Sequence, residues 1–193
     1  RSLFVHVNKT AKKPTQGDEI LLDDDGGYAI TARRVGWTHP LFSKHVAGDR
    51  LEPKNRNLPV NSMYINTLTI LAECAEDYLG EFESDFGHWS SVSLKEVAIR
   101  PDDSELDKAN DMFKEYLDEV YKIKLFKEAL ASTDDQYIRD ARNVYDDTTE
   151  ETKEATQNNE GHLLARPLGQ RILASAVGKM RNEDNPVALS TIF

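Results

Sequence analysis

Cysteine is nearly absent from this 193-residue sequence, where Cys74 stands alone. A single thiol excludes a disulfide framework and a multi-cysteine zinc site. No apolar run approaches the roughly 18 residues that a membrane span needs, and no secretory signal is visible. Positive charge is in short supply: 24 Lys and Arg face 34 Asp and Glu, a net charge of -10. An evenly basic nucleic-acid coat is thereby excluded. The sequence also lacks a Gly-rich phosphate loop ending in Lys-Ser/Thr, a Gly-x-Ser-x-Gly elbow, and any carboxylate pair that spacing singles out. What remains is a polar globular chain, one domain or one domain with an appendage, long enough to bury its own core. The expected compartment is the cytoplasm. The first residue is Arg1 rather than Met, so the chain is expected to be a piece of something longer.

Charge is spread unevenly. Residues 1–60 carry ten Lys/Arg and seven Asp/Glu, residues 61–161 ten and twenty-five, and residues 162–193 four and two. A mildly basic front and tail thus flank a strongly acidic middle. Arg1, Lys9, Lys12 and Lys13 have no acid among them. Such asymmetry fits a polyanion-binding face beside a non-binding region, and equally a solvated surface with ion pairs between regions.

Apolar spacing is mostly helical. At the front, Leu3, Val5 and Val7 alternate as in a strand, while Leu3, Val7 and Ala11 fit a helix equally well; Pro14 to Gly17 ends that segment. Gly26-Gly27 marks a turn, followed by a short helix from Tyr28 to Val35 with Gly36 at its C′ position. Pro40 opens another short helix through Val46, and Ala47 to Pro59 reads as a loop. Asn61 or Ser62 is the expected cap of a helix over 61–79. Its Tyr64, Leu68, Leu71, Ala75 and Tyr78 form one stripe, and Gly80 closes it. Residues 92–99 read as a short strand or an extended link. Pro101 at N1, with Asp102, Asp103 and Glu105 behind it, opens a helix whose stripe is Leu106, Ala109, Phe113, Leu117 and Val120; Ile123, Phe126, Ala129 and Leu130 continue or restart it. Residues 132–161 are expected to hold a weak helix around Tyr137 to Val144 and then a mobile acidic loop. The last helix runs from about Pro167 to Met180, with Leu168, Ile172, Ala176 and Met180 stepping by four and Leu173 and Val177 widening the stripe.

The expected fold is therefore mainly α, a bundle-like helical domain with at most a few short strands. A basic segment over 1–60, with short helices or a strand, precedes a helical domain over 61–193. The 61–79, 102–130 and 167–181 helices should share a core that buries Leu68, Leu71, Phe113, Leu117, Ile172 and Ala176.

Reactive chemistry is scarce. The histidines at 6, 39, 45, 88 and 162 have no metal-ligand spacing and read as surface or packed residues. Asp23-Asp24-Asp25-Gly26-Gly27 lacks the alternate acids of a calcium loop, and Arg34 stands where its closing Glu would be. No metal and no cofactor are expected. Cys74 flanks the apolar stripe and reads as a packed small residue with no base beside it.

Two segments, RSLFVHVNKTAKKPTQ at 1–16 and HLLARPLGQRILASAV at 162–177, carry a family pattern. The first fits Arg-x-Leu-Phe-x-x-x-Asn-x-x-Ala-Lys through Phe4, Asn8, Ala11 and Lys12. The second fits Leu-x-Arg-Pro-x-Gly through Arg166, Pro167 and Gly169. Between them, in the same order, come an acidic turn, a helix with Arg33-Arg34, a His-Pro-Leu-Phe step at 39–42 and a helix with Thr67-Leu68. In this, about half of the chain resembles the DGQHR-domain family, the group of DNA sulfur modification proteins that includes DndB. The naming motif, Asp-Gly-Gln-His-Arg, is absent. The resemblance implies that this chain corresponds to the C-terminal, mainly helical portion of a ParB-like α/β protein. Catalysis tied to the missing motif does not carry over.

That resemblance implies a DNA-binding or regulatory component of a bacterial DNA modification (phosphorothioation-type) or defence system. Its partners would be DNA, bound weakly by this chain alone, and other proteins of the same system. There would be no membrane, and oligomerisation is compatible with it. Asn8, Lys9, Lys12, Lys13, Arg33 and Arg34 are the candidate DNA contacts. The alternative is an acidic interaction scaffold that docks a basic partner through Asp102, Asp103 and Glu105. An intact enzyme is the least favoured of the three, and no catalytic residue is assigned.

Overall fold

Leu68–Leu79 buries nine of its twelve residues, Leu68, Ile70, Leu71, Cys74, Tyr78 and Leu79 among them, and keeps Glu73, Glu76 and Asp77 on its open side. The other helices pack against its wide apolar face. The computed structural model describes residues 14–46, 48–58, 62–90, 100–132, 137–142, 162–183 and 186–192. In chain order the helices are α1 (Gln16–Leu22), α2 (Gly27–Thr38), α3 (Leu68–Leu79), α4 (Glu83–Ser90), α5 (Asp103–Val120), α6 (Lys124–Ala131), α7 (Tyr137–Arg142), α8 (Pro167–Asn182) and α9 (Leu189–Ile192). Single 3-10 turns stand at Pro40–Phe42 and Leu163–Ala165. The strands β1 (Leu51–Glu52) and β2 (Asn66–Thr67) form a parallel pair, with Leu51 opposite Asn66 and Glu52 opposite Thr67. The domain is thus mainly helical with two short strands. Helices α1, α2, α4, α5 and α8 all touch α3. Among the described residues no helix is long and apolar enough to cross a membrane.

Several boundaries differ from expectation, each for a local reason. Helix α1 has no counterpart in the sequence reading. Thr15 caps it, accepting from the Asp18 N–H at 3.1 Å, while the Asp18 carboxylate accepts from the Thr15 N–H at 3.0 Å, a capping box that the proline and glycine around it obscure. Gly36 is not a C′ residue. It lies inside α2, where a Cβ would come within 2.8 Å of Leu51 and Leu71, so the glycine serves close packing. The Pro40 turn ends at Phe42 rather than Val46. Helix α3 begins at Leu68, not at 61. Asn66 and Thr67 are used in the strand pair, and the Thr67 hydroxyl, not Asn61 or Ser62, caps the helix by accepting from Ile70 N–H at 3.1 Å. Tyr64 therefore precedes the helix. Asp102 caps α5 reciprocally with Glu105, which places Pro101 just before the cap rather than at N1. The long helix stops at Val120 and restarts at Lys124.

Helix α8 buries only one flank of its expected stripe: Val177 is inside and Leu173 packs against the core, while the row that steps by four faces outward. Leu168, Ile172 and Met180 are 65%, 53% and 37% exposed, and Ala176 is exposed too. The buried residues are Gly169, Gln170, Ala174, Val177 and Gly178. Contact with α3 is a backbone approach: a Cβ on Gly178 would lie 2.8 Å from the Tyr78 carbonyl oxygen. Only small residues fit there, so the bulky ones are displaced outward. Leu68, Leu71, Phe113 and Leu117 are buried as expected.

His39 ties the end of α2 to α5. Its Nδ1 accepts from the Leu41 N–H at 3.1 Å, so the proton is on Nε2, which donates to Asp118 Oδ1 at 3.1 Å. Burial holds the imidazole below its ordinary value of 6.5, outweighing the pull of Asp118 in the other direction, and Lys114 adds to the lowering. Below that ordinary value the unfolded chain takes up a proton that the folded chain resists, so stability should fall as pH falls. Melting temperatures recorded between about pH 8 and pH 5 should decline more steeply for the parent than for His39→Asn. Equal slopes would show that His39 does not titrate against the fold.

Candidate phosphate-binding site

Four arginines from three separate stretches of the sequence meet at one cleft of about 610 Å³. Arg56 comes from the loop after β1, Arg142 from the end of α7, Arg166 from the residue before α8, and Arg171 from the second turn of α8. Leu58, Ile70, Pro167 and Leu168 give the cleft apolar walls, and Glu73 of α3 is the carboxylate that lines it.

Each arginine is held differently. Arg171 grips Asp77 with two bonds, Nε to Oδ2 at 2.6 Å and Nη2 to Oδ1 at 3.0 Å, and reaches Glu73 at 2.8 Å. The Asp77 bonds hold its guanidinium above its ordinary range. Arg56 meets the other Glu73 oxygen at 2.8 Å. Arg142 is only 7% exposed. Its guanidinium donates to the carbonyls of Ala165 (2.8 Å), Ser62 (2.9 Å) and Tyr64, and among the described residues it meets no carboxylate. Burial lowers it to about 10, still far above neutral pH, so it stays charged. A buried charge without a counter-charge is costly.

The start of α8 forms one edge of the same cleft. Arg166 occupies its N-cap without a side-chain cap, Pro167 is at N1, and the first turn holds no acid. The positive end of a 16-residue helix thus borders the cleft with no acid in its own first turn. Gln170 anchors this start. Its amide accepts from Asn66 Nδ2 at 2.9 Å and donates to the Ile65 and Leu164 carbonyls at 3.0 and 3.1 Å. Gly169 is required by the turn above it, since a Cβ there would lie 2.1 Å from the Leu163 carbonyl oxygen. The ARPLGQR run is therefore both the clasp of α8 onto the fold and one side of the cleft. Beyond the Arg56–Glu73 pair the sign of the surface reverses: a second cavity of about 390 Å³ is lined by Glu19, Asp23, Glu73 and Glu76.

Asn8, Lys9, Lys12 and Lys13 lie outside the described residues. Arg33 and Arg34 point to different neighbours. Arg33 donates to the carbonyls of Ile20 and Asp23 and pairs with Asp24 at 3.3 Å, joining the end of α1 to α2. Arg34 is more exposed and meets Asp107 of α5 at 3.3 Å. Neither lines the arginine cleft. Cys74 is buried and burial pushes its thiol well up, so no nucleophile forms there. Sequence reading misses Arg56, Arg142 and Arg171 as a group, because tertiary packing alone brings them together; Arg166 in the Arg-Pro-x-Gly run is the one signal it offers.

Comparison with known protein families, with curated proteins and with solved structures finds no match to this chain.

Proposed function

We propose that this protein is a non-catalytic, phosphate-binding module that contacts DNA, in line with the regulatory or DNA-modification role that the DGQHR-domain resemblance implies. The observation that supports it most is Arg142, a buried guanidinium answered by three carbonyls and, among the described residues, no carboxylate, beside three further arginines and a helix start with no side-chain cap. Phosphate oxygens are the acceptors that such a constellation suits. Lys9, Lys12, Lys13 and Asn8 belong to the same proposal as backbone contacts. Arg33 is set aside for structural work. The scaffold alternative has less support, because Asp102 and Glu105 already cap α5.

Anisotropy titration of a short DNA duplex tests this. About four phosphate contacts imply a log–log salt slope of roughly -3.6. Arg56→Gln, on a side chain 44% exposed, and the triple variant Lys9→Glu/Lys12→Glu/Lys13→Glu should each weaken binding and flatten that slope, by about 0.9 for each phosphate no longer engaged. Parental affinity in both variants would remove the proposal.

A further inference from the structure

We infer that the arginine cleft selects a phosphate monoester, as on a nucleotide or at a DNA 5′ end, over the internal diesters of a nucleic-acid backbone. This rests on the phosphate-binding reading above and names the ligand class of the same site. Depth is the first argument. The inner wall of the cleft is Arg142, which is 7% exposed, while Arg56 stands nearer the rim with its side chain 44% exposed. An internal diester is flanked by sugars on both sides and lies on the outside of a duplex. A terminal phosphate has one ester bond and can project inward.

Donor supply is the second argument. A guanidinium offers five N–H groups. Arg142 commits one from each nitrogen to the carbonyls of Ala165, Ser62 and Tyr64. Among the described residues this leaves one N–H on each terminal nitrogen without an acceptor, and guanidinium N–H groups suit phosphate oxygens. Charge is the third. A monoester carries about -1.5 to -2 at neutral pH, whereas a diester carries one negative charge. Glu73 and Asp77 already serve Arg56 and Arg171, and among the described residues no carboxylate meets Arg142, at the deep end. Glu73 opposes any anion that moves towards the acidic second cavity, which keeps the phosphate on the arginine side. Finally, Leu58, Ile70, Pro167 and Leu168 offer apolar walls for the sugar or base behind the phosphate.

The test uses the whole chain and two labelled duplexes of one sequence, with 5′-phosphate or 5′-hydroxyl ends. The 5′-phosphorylated duplex should bind about tenfold more tightly, the factor for one additional charge-assisted hydrogen bond. Arg142→Lys should erase that difference, and Arg56→Gln should reduce it, because Glu73 loses one of its two arginines and repels the more highly charged monoester. Arg142→Lys removes two carbonyl partners and can unfold the chain; Arg56→Gln, at the rim, keeps the test decisive. Deoxyadenosine 5′-monophosphate as competitor separates the sources. Displacement of the phosphorylated duplex by the nucleotide assigns the site to free nucleotides as well as ends, and failure to displace assigns it to DNA ends. Equal binding of the two duplexes, with both weakened in Arg56→Gln, overturns the monoester inference and leaves the phosphate-binding reading standing. Equal binding with no effect of Arg56→Gln overturns both.

Discussion

Gln170→Leu should destabilise the fold by about 3–5 kcal/mol. Leucine nearly keeps the volume but makes none of the three hydrogen bonds. The Asn66 amide is then without its acceptor, and the Ile65 and Leu164 carbonyls are without a donor, all at a residue 7% exposed. A buried polar group left unsatisfied costs about 1–3 kcal/mol, more than the net worth of the bond it made. Urea denaturation with an unchanged m-value would measure this directly. The double variant Asn66→Leu/Gln170→Leu should cost less than the two single variants summed, because neither partner is then left facing an empty position. A Gln170→Leu protein within about 0.5 kcal/mol of the parent, the scale of an inert surface substitution, would show that the clasp does not stabilise the fold.

Phe113→Ala should cost a similar amount, about 3–5 kcal/mol. Phe113 is fully buried, and Tyr116 beside it stacks on Tyr78 with ring centroids 4.7 Å apart. Phe113 itself lies 5.9 Å from Tyr116, nearly parallel. Three rings from two helices thus share one block, and removing one leaves a cavity that α3 and α5 cannot close by side-chain movement alone. Ile172→Ala is the control. With Ile172 53% exposed, its truncation should cost under about 0.5 kcal/mol. A large effect at Ile172 together with a small one at Phe113 would mean that α8 and α5 are seated otherwise.

Those two residues also show what can be read from the sequence. Phe113 sits in a stripe with Leu106, Ala109, Leu117 and Val120, all buried, because α5 packs on one side only and its period is undisturbed. Helix α8 has an equally regular row stepping by four, yet that row faces outward and only Val177 and Leu173 at its flank turn in. Its packing on α3 is set by Gly178 and Ala174, and small residues leave no trace in an apolar period. The start of α3 is hidden for a related reason: two residues spent on a parallel pair cannot be seen without knowing that β1 lies beside them. Caps whose partner is three residues away, as at Asp102, are legible. The arginine cleft is not. Positions 56, 142, 166 and 171 have no shared spacing, and their meeting depends on where α7 and α8 dock.

The Asn66–Gln170 bond joins residues 104 positions apart. Closing so long a segment of chain costs entropy before its contacts repay it, so α8 is expected to dock late in the assembly of the domain. Interactions made after the rate-limiting step act on the way out rather than on the way in. The clasp at the start of α8 is therefore expected to act as a brake on unfolding, setting how long the arginine cleft persists once formed more than how quickly it forms.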